Sequence, residues 1–157
     1  DSLLDLGDLV GAQEVAAGLP AVSEDSPSRA AVTAARGHVL AATGHWAGAA
    51  ACYRAAVRAS PADARLRNAL GYALLRSGDR HQSAETLRAA ADLAPGAEVI
   101  RNNLLLALTL SGRTAEVEAI LAGSGDDAGR ARLRVQLSGQ AAAIAGERQA
   151  SGSEASC

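Results

Sequence analysis

Segments rich in Ala, Leu and Val alternate along the chain with short polar breaks, and the breaks recur every 34 residues. The periodic residues in the breaks are Pro27, Pro61 and Pro95 and, at the same spacing, Gly44, Gly78, Gly112 and Gly146. Glycine readily takes the positive φ that ends a helix, and proline cannot continue a helix. The pattern therefore predicts pairs of helices, with a turn glycine inside each pair and a proline after it.

The helices expected from this pattern lie at about 30–43, 46–59, 64–77, 80–93, 98–111, 114–123 and 130–145. Ahead of them, 12–19 resembles the second helix of an earlier unit, because Gln13-Glu14-Val15 aligns with Ala115-Glu116-Val117. The predicted organisation is a partial repeat and loop at 1–29, repeats at 30–63, 64–97 and 98–129, a closing helix at 130–146 and a disordered tail at 147–157.

A 34-residue period resembles that of the tetratricopeptide repeat (TPR), in which each unit is a pair of antiparallel helices. If the units are counted from residues 30, 64, 98 and 132, position 8 is small in Gly37 and Gly71, so that paired helices can touch. Position 24 is large in Tyr53 and Leu87 and fills the wedge between helices. One pair cannot bury its apolar face alone. The sequence thus predicts an all-α, right-handed TPR-type solenoid with a C-terminal closing helix.

The third unit departs from this pattern. Leu105 stands at position 8 and Val117 at position 20, where small residues are expected. The Gly/Asp loop at 123–129 then follows without a proline. We expect either that this helix pair opens wider than the others or that the chain bends here.

The concave surface, which the first helix of each TPR unit lines, is the candidate binding site. Position 5 carries a side-chain amide in three successive units, and an amide both donates and accepts hydrogen bonds, as a peptide backbone requires. The residues predicted to bind a partner protein are Asn68, Tyr72, Asn102, Leu106, Gln136, Arg65, Arg76 and His38. The alternative is that the amides and arginines are only solvated residues of exposed helices.

Charge and residue spacing argue against other functions. The net charge is −2, so no strong basic field favours nucleic acid. The histidines at 38, 45 and 81 lack metal-ligand spacing, and no glycine-rich stretch resembles a phosphate loop. We therefore expect no catalytic site, no metal and no cofactor. Cys52 and Cys157 are expected to remain unpaired, as a small buried residue and a free tail thiol.

The run RNNLLLALTLSGRTAE at 101–116, followed by the Arg-rich helix start at 130–137, resembles the closing repeat of the TadD family of tight-adherence (Flp) pilus proteins. The resemblance implies a lipoprotein on the periplasmic side of the outer membrane that assists the pilus secretin, in a pilotin-like role. Membrane attachment would then be only through an N-terminal lipid on a residue before Asp1. The alternative is a cytoplasmic TPR adaptor or chaperone that binds a peptide segment of another partner.

Overall fold

The computed structural model describes residues 27–147 and Cys157. The described residues form helices and no strand: α1 (Pro27–Ala42), α2 (Trp46–Ala59), α3 (Ala64–Ser77), α4 (Arg80–Leu93), α5 (Glu98–Leu110), α6 (Thr114–Ala122) and α7 (Asp127–Gly146). The predicted helix at 12–19 and most of the predicted tail lie outside the described residues.

Successive helices pack against one another along the chain. α1 packs on α2, α2 on α3, α3 on α4 and α4 on α5, and α7 then packs on α5. Contacts between neighbouring helix pairs are what make a TPR solenoid from units that cannot bury their apolar faces alone. The expected all-α stack of helix pairs is therefore confirmed.

Local signals explain where most helices begin and end. The carboxylate of Asp63 accepts hydrogen bonds from the backbone of α3 at Arg65, at 2.9 Å, and at Leu66. Such a cap satisfies backbone N–H groups that the helix leaves free at its start. Gly78 ends α3 with a φ of 96°, and Gly44 and Gly112 also have positive φ. These three glycines are the turn residues that the 34-residue pattern predicted.

Two helices begin three residues before the expected start. α1 begins at Pro27 rather than at 30, because proline is favoured in the first turn, where its missing N–H is not needed. α7 begins at Asp127 rather than at 130, because Asp126 accepts a hydrogen bond from Gly129 N at 2.8 Å. Gly146 lies within α7 and does not form the predicted turn.

Glycine at position 8 brings the paired helices of the first two units into contact. A Cβ atom on Gly37 would lie 2.8 Å from the Tyr53 ring, and one on Gly71 would lie 2.5 Å from Leu87 Cγ. Ser83 Oγ also donates to the carbonyl oxygen of Gly71 at 2.7 Å. The assigned register is therefore confirmed, with position 24 filling the space that the glycine leaves.

The third pair is the least closely packed, as expected from its large residues. Leu105, Val117 and Leu121 are all buried, yet α5 and α6 share far less contact than the helices of the first two pairs. α6 has only 9 residues, and α7 lies against α5 instead. The closing helix α7 therefore lies on the face of the stack that is lined by the first helix of each pair.

The expectation of unpaired cysteines is wrong. Cys52, fully buried in α2, forms a disulfide with Cys157, and their Cα atoms are 5.2 Å apart. The two residues are 105 positions apart in sequence, so only the fold of the whole stack brings them together. Neither cysteine has a nearby partner in sequence that spacing could have shown.

We predict that Gly71→Ala lowers the free energy of unfolding by about 1–3 kcal/mol, because the new methyl group overlaps Leu87. Gly139→Ala is the matched control, since Gly139 is an exposed residue of α7 with open space around its Cα. There the same substitution should stabilise the helix by about 0.5–1 kcal/mol. Urea unfolding followed by circular dichroism measures both, and equal effects would contradict the helix-pair contact.

We also predict that Cys157→Ser lowers the free energy of unfolding by about 4 kcal/mol, because the disulfide closes a loop of about 100 residues in the unfolded chain. A reductant should destabilise the parent by the same amount and leave Cys157→Ser unchanged. Two thiols that react with a dye in the unfolded, unreduced protein would show that the bond does not form.

Candidate protein-binding groove

A groove of about 630 Å³ runs along the first helices α1, α3 and α5 and is bounded by α7. Its most regular feature is a row of side chains at position 9 of each unit, 34 residues apart. These are His38, Tyr72, Leu106 and, on α7, Gln140. The closing helix thus contributes to the groove at the same repeat positions as the first helices do.

The structure places five of the eight predicted binding residues in this groove: His38, Asn68, Tyr72, Arg76 and Leu106. The other three, Arg65, Asn102 and Gln136, are not among the residues that line it. Arg65 and Gln136 are exposed elsewhere on α3 and α7. The position-5 row expected from the sequence therefore does not continue past the second unit.

A pair of amides replaces the predicted row. Asn103 Nδ2 donates to Asn68 Oδ1 at 2.9 Å, and both side chains line the groove. The neighbouring Asn102 has a buried Oδ1 that no hydrogen-bond donor reaches within the described part of the chain. In the third unit, the residue that bonds α3 is thus Asn103 and not the predicted Asn102.

An aromatic and cationic cluster forms the other end of the groove. The rings of Trp46 and Tyr72 meet edge to face, with centroids 5.8 Å apart. The guanidinium carbon of Arg76 lies 4.4 Å from the centre of the Trp46 ring, and Arg76 Nη1 donates to Tyr72 Oη at 3.1 Å. Stacking on an aromatic face favours a cation, most of all when water is excluded. Arg76 is therefore held in one orientation by groove residues.

Arg76 also forms an ion pair with Glu147, which follows the last residue of α7. The Arg76 side chain is only 17% exposed, whereas that of Glu147 is 51% exposed. The pair joins α3 to the end of the closing helix across the groove. A sequence separation of 71 residues explains why no local pattern predicted it.

His38 and Tyr53 form the polar contact of the groove at α1. Tyr53 Oη and His38 Nδ1 are 2.8 Å apart, and Tyr53 is almost completely buried. Desolvation lowers the pKa of His38 below its usual 6.5 and raises the pKa of Tyr53 to about 12. Both side chains are therefore neutral at pH 7, and the charge of the groove comes from Arg76 and Glu147.

Ion pairs elsewhere join the second helices. Arg113 Nη1 donates to Glu85 at 2.7 Å and also bonds Glu116, which in turn pairs with Arg88 of α4. The hydrogen bond from Arg113 lowers the pKa of both glutamates. These contacts tie α4 to α6, so Arg88 has a structural role, whereas Arg58 on α2 is exposed and suits a control position.

The described residues contain no cluster of His, Cys, Asp or Glu that could hold a metal ion. Within the same part of the chain, each helix is too short or too polar to span a membrane. The groove itself offers apolar, aromatic and amide surface with one partly buried cation. That combination suits recognition of a polypeptide.

The list of predicted binding residues left out Trp46, Asn103 and the groove-facing residues of α7. Trp46 stands directly after the turn between α1 and α2, where the repeat often carries an aromatic residue, so a signal was present. Gln140 and Ile144 repeat positions 9 and 13 of the earlier units, and the same counting finds them. Nothing in the local sequence marks Glu147.

Comparison with known proteins supports the TPR assignment. A family model described as a TPR repeat matches residues 37–78, which span the end of α1, all of α2 and α3, and the turn glycine after α3. No curated protein matches the chain. TPR units typically serve as non-enzymatic scaffolds that bind other proteins across their concave surface.

Proposed function

We propose that this protein is a non-enzymatic scaffold that holds a segment of a partner protein in the groove between α1, α3, α5 and α7. The observation that carries the proposal is the row of position-9 side chains that α1, α3, α5 and α7 place along one continuous groove, in the register of the repeat. A volume of about 630 Å³ lies in the range of ordinary ligand sites and accepts a few side chains, not a folded domain.

The groove offers both anchoring surface and backbone recognition. Tyr72 and Leu106 are one unit apart in the same row, and a buried tyrosine anchor contributes about 2 kcal/mol or more to binding. The hydrogen bond between the two amides uses one donor of Asn103 and one acceptor of Asn68. Each amide has further donors and acceptors, so the pair suits a hydrogen-bonded peptide unit of the partner.

The partner that we propose is the outer-membrane secretin of a tight-adherence pilus, which the protein would assist in a pilotin-like role on the periplasmic side. Two observations support it. One is the TadD-like run at 101–116, and the other is the Cys52–Cys157 disulfide. Disulfides persist in the bacterial periplasm and are rare in the cytosol, so the bond favours the periplasm over a cytoplasmic adaptor.

Photo-crosslinking in the native host tests these proposals. A photoreactive amino acid at Gln140, an exposed residue that lines the groove, should capture the partner segment. The same amino acid at Arg58, exposed on α2, should not. Capture of a secretin at Gln140 supports the pilus role, and capture of a different protein supports the scaffold with another partner. Equal capture at both positions contradicts the groove as the binding surface.

We predict that Asn68→Ala combined with Asn103→Ala weakens binding of the captured partner segment about tenfold, since each lost hydrogen bond is worth about 0.5–1.5 kcal/mol. Removing both members of the pair leaves no orphaned amide, so the fold should remain intact. Isothermal titration calorimetry with the synthetic segment measures the change.

Asn102→Ala is the matched control, because Asn102 is the neighbouring amide on α5 and does not line the groove. It should bind the segment as tightly as the parent does. If Asn102→Ala weakens binding and the Asn68/Asn103 double variant does not, the partner contacts a different face of α5.

A further inference from the structure

Arg76 is a fixed cation that faces the groove. The Trp46 ring lies 4.4 Å from its guanidinium carbon, and the Tyr72 hydroxyl accepts a hydrogen bond from its Nη1 at 3.1 Å. With only 17% of the side chain exposed, Arg76 has lost much of its hydration. A carboxylate stabilises a cation that has lost part of its hydration. A carboxylate is therefore the favoured partner of Arg76 at this point in the groove.

The carboxylate comes from the end of a weakly attached helix. α7 has 20 residues, but Leu137 is its single buried side chain. Leu137 and the Arg134–Glu118 ion pair hold the first half of α7. The second half begins after Gly139, an exposed glycine that weakens the helix at this point.

The second half of α7 is only partly covered, although Ala141 and Ile144 pack against the hydrophobic core. Gln140 and Ala143 line the groove yet remain exposed, and Ile144 is only partly buried. Glu147 is half exposed while its partner Arg76 is nearly covered. The arginine is therefore the fixed member of the ion pair, and the glutamate is the member that can leave.

We propose that the last turn of α7, from Ile144 to Glu147, is a built-in occupant of the groove that a partner segment displaces. The partner segment carries an apolar side chain followed three residues later by a glutamate, and that glutamate binds Arg76 in place of Glu147. This inference rests on the proposed function of the groove and specifies the chemistry of its partner.

Charge complementarity explains the exchange. When one carboxylate replaces another, Arg76 keeps a charged hydrogen-bond partner before and after binding. A segment without a carboxylate would leave Arg76 without an ionic partner in a partly dehydrated site, which is unfavourable. The contact between Arg76 and Glu147 therefore selects for acidic segments and against neutral ones.

Three peptides test the proposal on the full chain. The first is an acetylated and amidated copy of residues 137–147, LSGQAAAIAGE. The second carries Gln in place of the glutamate. The third carries the same Gln but has a free carboxyl terminus, which distinguishes a terminal carboxylate from a side-chain one. Trp46 is the single tryptophan of the chain and lies against Arg76, so its fluorescence reports binding directly.

Glu147→Gln should bind the first peptide about tenfold more tightly than the parent does, because the internal competitor has lost its charge. The second peptide should bind Glu147→Gln about tenfold more weakly than the first does. Arg76→Gln should remove the preference for the acidic peptide. Glu118→Gln, which breaks the ion pair between α6 and α7, is the control and should leave peptide affinity at the parental value.

Hydrogen exchange provides a readout that needs no ligand. Amides in the second half of α7 should exchange faster in Glu147→Gln than in the parent, with those of α3 unchanged. Unchanged exchange together with unchanged peptide affinity overturns the proposal. Tightest binding of the third peptide overturns the glutamate assignment and shows that the site takes a chain terminus.

The outcome also separates this inference from the proposed function. If none of the peptides binds Glu147→Gln while crosslinking at Gln140 still captures a protein, the groove binds its partner without displacing Glu147, and only this inference fails. If Gln140 captures nothing either, the proposed function fails with it.

Discussion

The close approach of paired helices at Gly37 and Gly71 is the contact on which the stack depends. At each position the missing side chain is replaced by the large residue of the facing helix, Tyr53 or Leu87. This contact fixes the distance between the helices of a pair, and successive pairs can then pack in the same way. The first helices are thereby aligned, so that residues 34 positions apart share one groove.

The third unit lacks this contact, and the groove changes there. Leu105 occupies the place of the glycine and is completely buried, and the short α6 covers only part of α5. α7 packs on the remaining surface of α5 and brings Gln140, Ile144 and Glu147 to the groove. A helix that closes the core therefore also becomes one wall of the groove.

The sequence was sufficient for the parts of the structure that depend on local chemistry. Helices α2, α3 and α4 begin and end at the bounds that the turn glycines and the prolines after each pair predicted. Counting in the 34-residue register also finds His38, Tyr72 and Leu106. Contacts between distant residues were out of reach, because the Arg76–Glu147 pair and the Cys52–Cys157 bond exist only once the curvature of the whole stack is known. The amide pair was predicted in part. The sequence pointed to Asn68 and Asn102, whereas in the structure Asn68 bonds the next residue, Asn103.

The disulfide changes how such a stack can come apart. In a linear solenoid each unit contacts only its neighbours, so loss of structure can start at one end and spread helix by helix. The bond between Cys52 and Cys157 links the first described pair to the far end of the chain and makes α3 to α7 part of one covalent ring. The bond keeps Cys157 beside α2, so a closing helix that frays stays tethered to the stack. Loss of structure that starts at this end therefore meets a covalent link that a linear solenoid lacks.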